Sequence, residues 1–180
     1  MNIVESKFQE LHGVVCWKVN WDANLNLSMN FGQPSLSIRE PRKVKSSSKK
    51  MSDSFKYRSV ALHGEWFFWI LNGYWKVSIK DYDEVTGDTS YKRKNMALTR
   101  LDGQKLIHAS VDPQTSTTRL DFDLGAILSI RRISIKNDGD IWSLYKPDNS
   151  VLSVRGDGKY SDDPGETESG KSNWKPIVTL

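Results

Sequence analysis

A chain of 180 residues, 37% hydrophobic and 27% charged, has the make-up of a globular protein and excludes a disordered one. Its single cysteine, Cys16, excludes an intrachain disulfide and a cysteine-based zinc site. With no long apolar run near the N-terminus, it predicts a cytoplasmic protein without signal peptide or membrane span. The formal charge of +4 is uneven: residues 39–58 hold eight Lys/Arg and two acids, leaving eighteen bases against twenty acids elsewhere.

Val4, Phe8 and Leu11 lie at helical spacing, with Gly13 suited to the position after the helix end. Val15, Trp17, Val19 and Trp21 alternate with polar residues and Cys16, as in a strand. Leu25, Leu27, Met29 and Phe31 do the same after an Asp22-Ala23-Asn24 turn. Leu36-Ser37-Ile38-Arg39 opens a third strand. Residues 40–57 are Ser/Lys-rich without apolar periodicity and predict a mobile basic excursion, set at 40–58, before 58–62 re-enters the sheet.

The stretch 64–79 holds three of the seven Trp, with Asn72-Gly73 at its centre. An Asn-Gly pair between aromatic runs predicts a tight hairpin, because a type I′ turn needs positive φ at both central residues. The arm over 65–71 reads as a central strand, and the other alternates Trp75, Val77 and Ile79 inward. A polar connection, 81–88, leads to a helix over 90–101 with Ser90 as N-cap and Tyr91, Leu98 and Leu101 inward.

The first half then recurs. Leu11-His12-Gly13 answers to Leu101-Asp102-Gly103, Gly32 to Gly125, and Leu36-Ser37-Ile38-Arg39 to the identical Leu128-Ser129-Ile130-Arg131. Gly64-Glu65 before an aromatic strand answers to Gly139-Asp140, and the Asn72-Gly73 turn to Pro147-Asp148-Asn149. The expected fold is mainly β (α+β): two pseudo-repeated antiparallel units, 1–85 and 86–180, each led by a short helix and packed as a sandwich or barrel in one domain. The tail from 156 is acid-rich at Asp157, Asp162, Asp163, Glu166 and Glu168, with Trp174 expected to pin it to the body.

The run of motifs FG.P.L.IREPR, V.LHGEW..WI, LDGQ.L....VDP.T..T and W.LY.PD..VL.VR.DG through 31–174 resembles a widespread group of uncharacterised bacterial cytosolic proteins built from two similar halves. Some proteins of this kind resemble immunity partners of polymorphic or contact-dependent toxins. The resemblance implies a binding role and transfers no catalytic residue.

Phosphate-cradling, nucleophile-elbow and His-Glu zinc motifs are all missing. His63 with Glu65 is a candidate acid/base pair, outweighed by a role at a strand entry. Cys16 reads as a small buried residue rather than a nucleophile, and His12 and His108 as structural. Asp138-Gly139-Asp140 and the acidic tail do not follow a calcium-loop pattern. The expected function is non-enzymatic protein binding, with a cognate toxin as candidate partner, occluded by complementary charge. Lys45, Lys49, Lys50 and Arg58 form the basic side, and Asp162, Asp163 and Glu166 the acidic side. No metal or cofactor is implied. The alternative is a nucleic-acid or polyanion module acting through 40–58, where cations neighbour Phe55 and Tyr57.

Overall fold

The structure, a computed structural model, describes residues 1–44, 48–133, 139–168 and 170–178; the side chains of 49–51 also lie outside that description. The first helix, α1 (Ile3–Lys7), is closed by a capping box in which Asn2 and Glu5 satisfy each other's backbone amides. A 3₁₀ turn over Gln9–Leu11 continues it. Val4, Phe8 and Leu11 are fully buried, as their spacing requires.

Antiparallel strands dominate the described residues. One sheet holds, in order, β1 (Cys16–Trp21), β2 (Leu27–Phe31), β5 (Trp66–Ile70), β11 (Asp140–Tyr145), β12 (Ser150–Arg155), β13 (Lys159–Pro164) and β14 (Lys175–Pro176). A second holds β7 (Val85–Thr86), β6 (Gly73–Ser78), β10 (Ile127–Arg132), β9 (Thr118–Phe122) and β8 (Leu106–Val111). A two-stranded ribbon, β3 (Ser35–Arg39) with β4 (Ser59–His63), stands apart. Both larger sheets have open ends, so the expected barrel is not formed. Each draws strands from both sides of residue 85.

One apolar cluster takes side chains from both large sheets: Met29, Phe68, Ile70 and Trp142 from one, Trp75, Val77, Leu128 and Ile130 from the other. Trp142 Nε1 donates to Thr118 Oγ1 across the gap at 2.8 Å. Burial of each large side chain contributes roughly 2–3 kcal/mol. Phe8 of the 3₁₀ entry wedges edge-on against Phe68 and Trp142, with ring centroids at 6.2 and 5.6 Å.

The Asn72-Gly73 hairpin is not formed. β5 pairs with β2 and β11, whereas β6 pairs with β7 and β10, so this corner carries the chain from one sheet to the other. Neither residue has positive φ. Gly73 is needed for space: a Cβ there would lie 2.7 Å from Cγ2 of both Ile130 and Ile141. The expected counterpart at 147–149 is a true hairpin, with Asn149 at φ 62° between β11 and β12.

The LSIR identity also fails to mark equivalent strands. Leu128 and Ile130 sit fully buried in β10, between β6 and β9, while Leu36 and Ile38 are exposed in the ribbon. Residues 58–62 accordingly pair with β3, not with a large sheet. Helix α3 (Tyr91–Leu101) buries Leu98 and Leu101 as expected, but Tyr91 is exposed, set edge-on to Trp21 at 5.7 Å, and Ser90 makes no side-chain cap bond. Within the basic excursion a short helix, α2 (Lys49–Ser54), forms where no regular structure was expected, and the Arg42 amide closes onto Phe55 O at 2.8 Å.

The two helix-to-strand junctions bond to each other reciprocally. Gly13 N donates to Leu106 O at 2.7 Å and Gly103 N to Cys16 O at 2.8 Å. Cys16 N donates to Gln104 O, and Leu106 N to Val14 O. Gly13, Gly32, Gly103 and Gly125 all adopt left-handed φ, a region open to glycine without a Cβ penalty.

Candidate functional site

The β3–β4 ribbon interrupts what would otherwise be a short β2–β5 connection, since Phe31 already faces Trp66 in the sheet. Gly32 and Gly64 form its root. A Cβ on Gly64 would lie 2.6 Å from Phe31 O, so the two chain segments leave the sheet in close backbone contact. Asn30 Oδ1 accepts from Gly64 N at 2.9 Å, and the Glu65 carboxylate accepts from Gln33 N at 3.0 Å. A bulge in β1 puts Lys18 at φ 53°, and its Nζ donates to Leu62 O at 2.9 Å. Such bulges re-aim a side chain out of the ladder.

In the ribbon, Leu36 faces Leu62 and Ile38 faces Val60. The period of two puts all four on one face. They are 69%, 39%, 60% and 61% exposed respectively. Four aliphatic side chains in two directly opposed pairs, open to solvent, make a contiguous apolar patch of the kind that marks a contact surface.

The far end of the ribbon is charged. Arg39 Nε donates to Ser59 Oγ at 3.1 Å, and its guanidinium lies 4.0 Å from the Phe55 ring centre, with that of Arg42 at 4.8 Å. Arg58 pairs with Glu40 at 2.8 Å and Lys56 with Asp53 at 2.7 Å. Beside the root runs a groove of about 760 Å³ lined by Lys18, Asn20, His63, Glu65, Phe67 and Tyr145, among others. Phe67, Trp69 and Tyr145 form an aromatic row on the sheet surface, with neighbouring centroids 5.7–6.5 Å apart.

The residues expected to meet a partner are spread over different settings. Arg58 is exposed at the ribbon tip. Lys45 lies outside the described residues, and Lys49 and Lys50 lie on α2 with side chains outside the description. Asp162 is held between Lys7 at 3.0 Å and Lys146 at 2.7 Å. Burial alone would raise its carboxyl, but the hydrogen bonds from the two lysines outweigh it and hold the pKa below the usual range. Asp163 accepts from Asn173 N at 2.8 Å, and Glu166 is exposed.

Among the described residues His63 and Glu65 do not hydrogen-bond to each other; the carboxylate is used at Gln33. Cys16 is fully buried and donates to Leu101 O at 3.2 Å. Burial first, then the nearby Asp102 charge, pushes its thiol up to about 12, the opposite of an activated nucleophile. Asp138 lies outside the described residues, and no group of three or more His, Cys, Asp or Glu among those described is placed to hold a metal. No described helix is long and apolar enough to cross a membrane.

The aliphatic face of the ribbon escaped the sequence reading because its alternation is identical to that of a buried strand. The signal that separates the two lies in the flanks: charged residues follow 35–39 (Glu40, Arg42, Lys43) and precede 59–63 (Lys56, Arg58), against Leu124, Ala126 and Ile133 around 127–132. No protein-family model, curated protein or solved structure matches the chain.

Proposed function

We propose that this chain is a non-enzymatic protein-binding protein whose β3–β4 ribbon enters an apolar cleft rimmed by acidic groups on a partner, as an immunity protein occludes a cognate toxin. The exposed Leu36–Leu62 and Ile38–Val60 pairs carry the reading. The partner's charge follows from the stretch 39–58, whose sequence bears an excess of six positive charges. An aliphatic centre with a basic rim suits an acidic partner, and the charges speed encounter more than they tighten it. The single buried cysteine fits a cytoplasmic setting.

The test is calorimetric titration of the chain against the protein encoded immediately upstream of it. Leu36→Asp with Val60→Asp is expected to weaken binding about 100-fold, within the span of a two-residue hot spot, with the melting temperature unchanged. Unaltered affinity in that variant removes the ribbon from the interface.

A second reading, polyanion binding through 40–58, draws on the same charge and on Tyr57, 71% exposed. Against it, Phe55 is already engaged by Arg39 and Arg42. Affinity for a single-stranded oligonucleotide that falls steeply with salt supports it, and a flat salt response ends it.

We also read the scaffold as a sandwich of two sheets produced by duplication. Supporting this are the reciprocal hydrogen bonds at 13–16 and 103–106, the paired left-handed glycines and the shared core. A crystal structure in which 11–32 and 101–125 do not superpose about a local twofold would dismiss the duplication.

A further inference from the structure

The surface of the seven-stranded sheet facing away from the core carries a second concavity. A trough of about 430 Å³ is lined by β11–β13 and by Gly165, Thr167, Gly170, Ser172 and Trp174. Its floor is a row of serines: Ser143 faces Ser153, and Ser153 faces Ser161. The first two hydroxyls are 2.7 Å apart. Ser161 is only 3% exposed and closes the row on β13. A row of hydroxyls on a trough floor offers a ligand both donors and acceptors.

The serine hydroxyls supply both hydrogen-bond senses. On the walls Asp140 presents a carboxylate, Asp163 accepts from Asn173 N at 2.8 Å, and the Arg155 guanidinium is paired with Asp157 at 3.0 Å. Arg155 also lies 4.9 Å from the ring centre of Trp174, which lines the trough together with Tyr145. Burial raises the Asp140 carboxyl against the opposing Arg155 charge, which costs stability near neutral pH. A carboxylic anion would meet two carboxylates. A neutral molecule whose adjacent hydroxyls both donate and accept, with a C–H face for Trp174 or Tyr145, matches Asp140, the serine row and the aromatic rim.

We propose that this trough binds a small neutral polyhydroxylated ligand, a single sugar ring, whose hydroxyls bond to Asp140 and the Ser143–Ser153–Ser161 row. The volume is within the range of small-molecule sites. The ribbon takes no part, so loss of partner binding and loss of sugar binding are separate results.

The experiment is an NMR titration of the intact chain with glucose, galactose and mannose, and with glucosamine and glucuronate as charged counterparts, to about 100 mM, since one ring in a shallow site binds at millimolar Kd. At least one neutral sugar is expected to give saturable shifts at the Trp174 indole and at the amides of 143, 153 and 161. Asp140→Asn and Ser161→Ala should each weaken that binding about tenfold, the effect of one lost hydrogen bond, while Leu36→Asp leaves it unchanged. If Ser161→Ala proves unfolded, the isosteric Asp140→Asn variant decides. The proposal is overturned by no saturable shift with any neutral sugar, by tighter binding of either charged sugar, or by shifts that map away from the trough.

Discussion

Gly73 shows how one missing methyl group sets the path of the chain. Three isoleucine side chains, of Ile70, Ile130 and Ile141, converge on the empty side of its Cα. Gly73→Ala inserts a carbon where two of those methyls already lie at 2.7 Å, and the expected cost is about 1–3 kcal/mol by chemical denaturation, as for other overpacked cores. Two carboxylates give opposite pH responses. The folded-state pKa of Asp162 is lowered by Lys146 and Lys7 acting against burial, so its contribution is present above the unfolded value near 3.8 and is lost as pH falls through the folded pKa. Asp162→Asn should therefore lower the melting temperature at pH 7 by the equivalent of about 1–3 kcal/mol, and the gap to the parent should close in acid. Asp140 has a raised pKa. It costs stability above its folded pKa and stops doing so as pH falls through it, so Asp140→Asn should raise the melting temperature near neutrality and converge with the parent in acid. Cys16 was legible from sequence as a small buried residue, because it alternates with tryptophans in a strand pattern. The role of Gly73 was not, because a turn glycine and a close-approach glycine are the same letter.

At the scale of elements, alternation marked most strands and which of their faces lies inward. Met29, Trp75 and Val77 all point into the core as their periodicity requires. Alternation does not encode which strand is the neighbour. The hairpin expected at 72–73 became a crossing, and the repeated LSIR became a core strand in one place and an exposed arm in the other. Partner choice rests on the rest of the sheet: β10 finds β6 and β9 on its two sides, whereas β3 finds only β4. The ribbon contributes no side chain to the core cluster. Replacing 33–64 by a two-residue Asn-Gly turn is thus expected to change unfolding free energy by no more than about 1 kcal/mol, because Phe31 and Trp66 already face each other and shorter loops close more easily. The same deletion should abolish binding to the upstream-encoded protein. Unfolding of the shortened chain at room temperature would show that the ribbon holds the sheet together.

At the scale of the whole molecule, the two halves of the sequence share both sheets through β5 against β11 and β6 against β10. Neither half can complete a sheet by itself. Fragments 1–85 and 86–180 expressed singly should show no cooperative transition, and mixed together they should recover one. Tryptophan fluorescence and far-ultraviolet circular dichroism should report the same midpoint for the intact chain. Independent melting of either fragment would contradict the shared architecture. The order of sheets was illegible in sequence for the reason that applies to single strands: each central contact joins residues 49–78 positions apart, and no local pattern records it. Contacts at such separation also predict slow folding.

The pairings that join β5 to β11 and β6 to β10 make no distinction between strands of one polypeptide and strands of two. Where molecules meet before the C-terminal portion has docked, either half can complete itself with a neighbour's complement, and the product is an entwined pair with every native hydrogen bond in place. Dilution during refolding thereby favours the monomer, and concentration the exchanged form.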